Sequence, residues 1–312
     1  MKYLIICLTV LISTTSFAQF SILNAKSPQE LKEKREQAQQ EQAAGDSTGI
    51  RSTGRALPYG FVEDKDIAWS MMTWEIIDLN ERLNQPYYHS AADPSNNNNK
   101  SLYDILFDGI KSGSIKEVYD DEEFTSKIPL KDIQSKIEAV RRSDWFLDKI
   151  NSGTPLTHAD SLQGIDHIKT DTRTVKLIKI KGMWYIDKRL GQMKYRLLGI
   201  APMGPDPQMI GVTAQGYTQE NELIDLFWVY YPDARNALAG YNLFNPKNSA
   251  SPITFDDALN ARRFNSIIYK AEGYMSDGSI KDYIPQDAAG QLDESNRIKN
   301  LILSKENSMW NY

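Results

Sequence analysis

The chain has 312 residues, which is room for one large domain or two small ones. Hydrophobic residues make up 41% and charged residues 25% of it, a globular composition that excludes fibrous, wholly disordered and disulfide-stapled classes. The formal net charge is −5. No basic block of the kind found in nucleic-acid-binding proteins occurs, so nucleic acid is not an expected partner.

The first eighteen residues have the pattern of a cleaved export signal. Lys2 gives a positive start, residues 3–12 are apolar, and Ser16 and Ala18 place small residues where a signal peptidase reads them. The apolar stretch is shorter than the roughly 20 residues that a retained membrane anchor needs. The sequence therefore predicts a signal peptide at 1–18, with cleavage after Ala18.

The single cysteine, Cys7, lies inside this predicted signal. A mature chain without it excludes disulfides, thiol catalysis, thiolate metal sites and a lipid anchor of its own. Any membrane attachment would then come through a partner. Removing Lys2 as well leaves 35 basic and 41 acidic residues, a formal charge of −6.

Residues 19–58 are polar and charged, with almost no apolar residue to bury. They predict a flexible N-terminal arm, which is either a plain linker or a tail that orders on a neighbouring subunit. We expect one globular domain at 59–312.

Three helices are predicted in the first half of this domain. The clearest covers 66–84, where apolar residues recur every three or four positions. Ser101 opens the second, with Asp104 three residues on as in a capping box. The third covers about 130–140. The apolar stripe of the first helix consists of Trp69, Met72, Ile76, Leu79 and Leu83.

The second half predicts mainly strands. A surface loop at 151–173 is followed by an antiparallel hairpin at 175–186 and 194–200, and by a strand at 222–231 that is apolar enough to be buried on both faces. Shorter strands are predicted at 115–119 and 267–269. Helices are predicted from Thr254 to about 264 and at 287–310. This order favours an α+β fold, with an antiparallel sheet flanked by N- and C-terminal helices.

No residue pattern predicts catalysis or a cofactor. Motifs for serine nucleophiles, phosphate loops and dinucleotides are absent from the sequence. His89, His158 and His167 have no metal-ligand spacing, so surface histidines are expected. The acidic run at 120–123 predicts a solvated turn, with a cation site or a pair of acids as the alternative. We predict no catalytic, metal or cofactor-binding residue.

Aromatic residues suggest contact with partners. The sequence has six tryptophans and sixteen tyrosines, and both types are enriched at protein interfaces. Most are expected in the core. Trp310 and Tyr312, at the end of the chain, are the candidates for a partner interface.

Several long segments in order resemble the family of the gliding-motility protein GldN, called PorN where the organism secretes but does not glide. The resemblance covers about 59–312, and the C-terminal Met309-Trp310 fits it as well. The segments are DIAWSMMTWEIIDLNERLNQPYY (66–88), LYDILFD (102–108), WYIDKRLGQMKYRLLGIAP (184–202), LFWVYYPDARNALAGYNLFNP (226–246) and TFDDALNARRFNSIIY (254–269).

The resemblance implies a periplasmic part of the type IX secretion system, without catalytic activity. It implies self-association in a ring with an outer-membrane lipoprotein of the GldK or PorK type. The motor proteins GldL and GldM (PorL and PorM) are further expected partners. Two alternatives remain open: a periplasmic carbohydrate-active enzyme or binding protein, which needs acids converging beside exposed tryptophans, and a periplasmic chaperone for secreted cargo.

Overall fold

The computed structural model describes residues 56–88, 100–153, 157, 163–207, 213–214, 217–218, 223–243, 253–273 and 278–309. The predicted signal peptide and residues 19–55 of the predicted arm lie outside them. The chain divides into two units, Met1–Arg51 with Tyr59–Ile67, and Ser52–Pro58 with Ala68–Tyr312. In the first unit the described residues form a 3-10 turn at Asp64–Asp66. The boundary at residue 59 stays a prediction.

The described residues contain both strands and helices in quantity, which confirms the predicted α+β class. The strands are β1 (Ile67–Asp78), β2 (Val118–Tyr119), β3 (Glu138–Arg142), β4 (Ile165–Lys169), β5 (Leu177–Asp187), β6 (Gln192–Pro205), β7 (Thr213–Ala214), β8 (Tyr217–Thr218), β9 (Leu223–Asp225), β10 (Trp228–Tyr230) and β11 (Ile267–Ala271). The helices are α1 (Gln85–Tyr88), α2 (Leu102–Lys111), α3 (Leu130–Ile137), α4 (Asp144–Asn151), α5 (Tyr231–Ala239), α6 (Phe255–Asn260), α7 (Ile280–Tyr283) and α8 (Ala288–Ser308).

A seven-stranded sheet forms the centre of the second unit. Its order is β11–β1–β5–β6–β10–β2, and β9 also pairs with β6. β11 pairs with β1, β5 with β6, and β10 with both β6 and β2, each time antiparallel. β3 with β4, and β7 with β8, form separate two-stranded sheets. The predicted antiparallel sheet is therefore confirmed.

The hairpin of β5 and β6 confirms the predicted hairpin, with longer strands than expected. Its turn is closed by Asp187, whose carboxylate accepts the Arg189 N–H at 3.0 Å and whose C=O accepts the Gly191 N–H at 2.8 Å. Gly191 has a φ of +56°, a conformation that glycine adopts without steric cost.

The helix predicted at 66–84 is wrong, because residues 67–78 form strand β1. The segment lies between β11 and β5 and is buried without interruption from Met71 to Glu75. A strand covered on both faces has a nearly continuous apolar run, which helical spacing can match by chance. Leu83, assigned to the buried stripe of that helix, is 61% exposed.

Three other boundaries differ from the predictions. The helix at 130–140 ends at Ile137, and β3 follows at once. The predicted surface loop at 151–173 contains strand β4, which pairs with β3. The single strand at 222–231 is divided into β9 and β10, and Tyr231 begins α5 because Pro232 suits the first turn of a helix.

The helices predicted from Ser101, from Thr254 and at 287–310 are confirmed as α2, α6 and α8, and α6 ends at Asn260. The sequence did not predict α1, α4, α5 or α7. The side chain of Ser101 caps α2 by accepting the Asp104 N–H, and Thr254 caps α6 by accepting the Asp257 N–H. The C-terminal helix α8 packs against β11, and no described helix has the length and hydropathy to cross a membrane. The cluster beneath α8 consists of Met71, Ile268, Ala271, Ile280, Ile298 and Ile302.

Candidate interaction surface

The described residues within 130–169, called here the β3–β4 unit, form a small sheet with two helices. α3 leads directly into β3, and α4 lies between β3 and β4 in the chain. The antiparallel register runs from Glu138 opposite Lys169 to Arg142 opposite Ile165. A two-stranded sheet is at best marginally stable alone, so this one depends on what packs against it.

Three buried side chains hold the unit in place. Ile133 and Ile137 on α3 and Phe146 on α4 are at most 6% exposed. The Ser143 N–H donates to the Gly164 C=O at 3.0 Å, which continues the β3–β4 pairing past the end of the strands. The unit therefore has one buried side, formed by these three side chains.

Exposed apolar side chains are concentrated on this unit. Of the thirteen large apolar residues that are exposed in the described part of the chain, six lie in it. Such a concentration marks a contact surface better than single exposed residues do. The six are Leu130 (39% exposed), Val140 (62%), Trp145 (45%), Leu147 (39%), Ile150 (38%) and Ile165 (39%).

Half of these residues lie on α4. Phe146 points inward, and the Trp145 ring packs edge-on against it with centroids 5.8 Å apart. Trp145, Leu147 and Ile150, called here the α4 surface, stay exposed. At 3.6 residues per turn, Trp145 lies on one side of the buried Phe146, and Leu147 and Ile150 lie on the other. Among the tryptophans that the structure describes, Trp145 alone is classed as exposed. Sequence reasoning missed it; the apolar run of α4 inside a polar region was the available signal.

The interface residues predicted from sequence, Trp310 and Tyr312, lie outside the described residues, as do His89 and His158. His167 is on β4 at the surface, with Nδ1 3.7 Å from Oε1 of Glu138. Within the described residues no group of three His, Cys, Asp or Glu side chains could hold a metal ion.

The acidic run forms a turn at the surface, and each of its four carboxylates also has a specific protein partner. The side chains of Asp120 and Glu123 are 47% and 55% exposed. Asp121 folds the turn on itself, and the others tie it to α3 and to the sheet. The partners are Lys136 for Asp120, Thr125 and Ser126 for Asp121, Lys270 (2.6 Å) and Tyr269 (3.1 Å) for Glu122, and Lys181 (2.7 Å) for Glu123.

Phe124 fixes this turn against the sheet. It has a φ of +58°, and its ring lies edge-on to Trp228 and Tyr230. A Cβ on Gly199 would lie 2.5 Å from Phe124 Cζ, so only glycine admits the ring. Desolvation opposes ionisation of Asp121, but the hydrogen bonds from the turn outweigh it and lower its pKa. The turn is a structural element rather than a cation site.

One groove of about 560 Å³ lies between α2 and residues 169–173. Asp104 in it accepts hydrogen bonds from Ser101 and Thr172, and Asp108 pairs with Lys100 at 2.6 Å. No tryptophan lines it, so the groove gives the carbohydrate alternative no support. The lining residues are Tyr88, Tyr103, Asp104, Phe107, Asp108, Lys111, Lys169, Thr170, Asp171, Thr172 and Arg173.

Comparison with known proteins gives one positive result. No curated protein matches the chain. The family model described as "Gliding motility associated protein GldN" matches residues 62–311, four fifths of the sequence. The match covers β1, the β3–β4 unit and α8, and it confirms the resemblance carried by the aromatic-rich segments. This chain belongs to the GldN family of gliding motility associated proteins.

Proposed function

We propose that this protein is a structural subunit of the type IX secretion and gliding motility machinery, and that it builds a periplasmic ring with an outer-membrane lipoprotein of the GldK or PorK type. The observation that carries the proposal is the α4 surface. In a GldN-family chain, three large apolar side chains stand exposed on one short helix. Their cost in water is repaid when a partner covers them.

The α4 surface suits a protein partner in composition. Complete burial of a side chain as large as leucine or isoleucine stabilises by roughly 1.5–3 kcal/mol, and these residues are already more than half buried. About half of that gain per residue is therefore still available. Tryptophan is among the residues that contribute most at interfaces, so Trp145 is expected to contribute most to the contact.

A closed ring needs two different patches on each subunit, because the contact runs head to tail. The α4 surface supplies one of them. The predicted arm at 19–58 and the Trp310–Tyr312 end are proposed as further contacts with neighbours or with motor proteins of the GldL and GldM type.

The proposed location rests on the sequence. Residues 1–18 predict export, and the chain after residue 18 contains no cysteine that could carry a lipid. Attachment to the outer membrane would then depend on the lipoprotein, so the protein should leave the membrane fraction when the lipoprotein is deleted.

The test is co-expression with the neighbouring lipoprotein, followed by size-exclusion chromatography and electron microscopy. We expect large rings that contain both proteins. Replacing all three residues of the α4 surface by serine should lower the yield of rings at least about tenfold, since two or three kcal/mol of apolar burial is lost. The matched control is the Leu292→Ser/Leu303→Ser chain, with two exposed residues of α8 changed instead.

Equal ring yields from the α4 variant and the α8 control would contradict the role of the α4 surface. A monodisperse subunit that ignores the lipoprotein would contradict the structural role altogether. Deletion of 19–58 tests the arm separately, and normal assembly of that truncated chain would remove the arm from the contacts.

A further inference from the structure

The outer edge of β3 carries backbone groups that the described chain does not use. The Thr170 N–H donates to the Ile137 C=O at 2.8 Å, and the Ser143 N–H donates toward β4 as well. In an antiparallel pair, the N–H and C=O of one residue point to the same side and alternate along the strand. Odd-numbered residues of β3 therefore face β4, and Glu138, Val140 and Arg142 face outward.

Five of these six outward groups are available. The Glu138 N–H is used by the last turn of α3, where it donates to the Gln134 C=O. The Glu138 C=O and both backbone groups of Val140 and Arg142 make no hydrogen bond within the described residues. The Val140 side chain, on the face of this strand, is 62% exposed. An open edge of this kind is a template for another strand.

The sequence of β3 is complementary to itself. Glu138, Val140 and Arg142 lie on one face, because side chains alternate along a strand. If β3 pairs antiparallel with a second copy around Val140, each Glu138 lies opposite Arg142 of the second copy. Opposite charges in facing positions stabilise a strand pair, and Val140 would face its own counterpart.

We propose that two copies of this chain associate through antiparallel pairing of their β3 strands, with the two-fold axis at Val140. The pairing makes a four-stranded sheet, β4–β3–β3–β4, with about four new backbone hydrogen bonds. Lys169 lies opposite Glu138 on β4, so each end of the contact is a row of three charges, positive, negative and positive. This two-fold contact is separate from the head-to-tail contact of a ring and does not depend on it.

The same comparison disfavours β4 as the pairing strand. Antiparallel pairing of β4 with itself around His167 would place Ile165 opposite Lys169, with no opposite charge to fix the register. The β11 edge of the large sheet is bonded by α8, where Oγ of Ser295 accepts the Ile268 N–H at 2.9 Å. The charges of β3 thus favour a second copy of β3 as the strand that pairs with this edge.

Charge reversal tests the register by sedimentation equilibrium of the full chain. We expect the unmodified protein to dimerise at concentrations of about 100 μM or below. Arg142→Glu alone, and Glu138→Arg/Lys169→Glu together, should each raise the dissociation constant at least about tenfold, because like charges then face each other at both ends. The triple variant inverts the whole row and should return to within about threefold of the unmodified value.

Mixing the first two variants gives the sharpest result. Each should be monomeric alone, but the glutamates of one chain would face the arginines of the other, so the mixture should form heterodimers. All substituted residues are exposed, and unchanged circular dichroism would confirm folding. A monomeric unmodified protein, or variants that all behave alike, would overturn the proposal.

A disulfide gives a second measurement that does not depend on charge. In a Cys7→Ser background, Val140→Cys should link two copies on mild oxidation, because the Cα atoms of such a pair lie about 5.5 Å apart, within disulfide range. Ala139→Cys, on the opposite face and out of register, is the control. Equal linking of both variants would contradict pairing around Val140.

Discussion

Replacing Arg262 by methionine should lower the free energy of unfolding by about 3–5 kcal/mol, because it leaves a buried carboxylate without its charge partner. Glu75, in the middle of β1, has no exposed surface, and Arg262 donates to its two oxygens at 3.1 and 2.7 Å. The guanidinium lies 4.1–5.0 Å from the ring centroids of Tyr195, Trp184 and Phe264. Methionine can fill much of that space, so the lost charge pairing should dominate the cost.

The double variant Glu75→Met/Arg262→Met separates charge from packing. Replacing both partners of a buried pair by apolar groups is often nearly neutral, so we expect a loss of only about 1–2 kcal/mol. Together with Glu75→Met, this gives a coupling energy of at least about 2 kcal/mol. Arg297→Met is the matched control: Arg297 is 57% exposed and pairs with Glu294, so its loss should cost less than about 1 kcal/mol.

Urea unfolding, followed by tryptophan fluorescence and far-UV circular dichroism, measures each free energy by linear extrapolation. The four proteins of the cycle should share one slope if they unfold in the same way. The reasoning is refuted if Arg262→Met costs no more than the Arg297 control, or if the double variant loses the sum of the two single losses.

Three further predictions concern the sheet and the β3–β4 unit. Gly199→Ala should lower the free energy of unfolding by about 1–3 kcal/mol, because the added Cβ displaces the Phe124 ring. In a Phe124→Ala background most of this loss should disappear, and a double-mutant cycle measures the difference. Asp187→Asn should reduce the loss of unfolding free energy that occurs as the pH falls into the acid range. Desolvation opposes ionisation of Asp187, but the hydrogen bonds and charge of Arg189 outweigh it and lower its pKa. The stabilisation by Asp187 is therefore present above its unfolded pKa of about 3.9 and is lost as the pH falls through its folded pKa. An unfolding free energy that falls equally with acid in both proteins would contradict this. Phe146→Ala should cost about 3–5 kcal/mol and Trp145→Ala far less, because only the first is buried; equal losses in thermal unfolding would place Trp145 in the core.

The large hairpin, the capped helices and the α+β class could be predicted from sequence because their signals are local. Ser101 and Thr254 cap their helices through residues three positions away, and the turn after β5 needs only Asp187 and a glycine. β1 could not be predicted in this way. It is a strand because it pairs with β11 on one side and β5 on the other, and residues 67–78 alone carry no information about those partners.

The candidate surface depended on the same kind of long-range information. Val140 continues the apolar spacing of α3, which predicts burial on a helix, but the chain leaves the helix after Ile137 because Glu138 begins pairing with Lys169. That change puts Val140 at the surface. The acidic run also depends on long-range information. Its partners Lys181 and Lys270 lie far along the chain, so the sequence could not show that these carboxylates have protein partners in the fold.

The two edges of the large sheet differ from the outer edge of β3 in how their backbone groups are bonded. At one end of the large sheet, α8 bonds to β11, because Oγ of Ser295 accepts the Ile268 N–H. At the other end, the Ile128 N–H donates to the Val118 C=O at 2.9 Å, so the chain folds back and closes β2 as well. Proteins protect edges in these ways because open edges associate. In the described residues, other elements bond to both ends of the large sheet, but none bonds to the outer edge of β3 beside Val140. This contrast places the capacity for association on the β3–β4 unit.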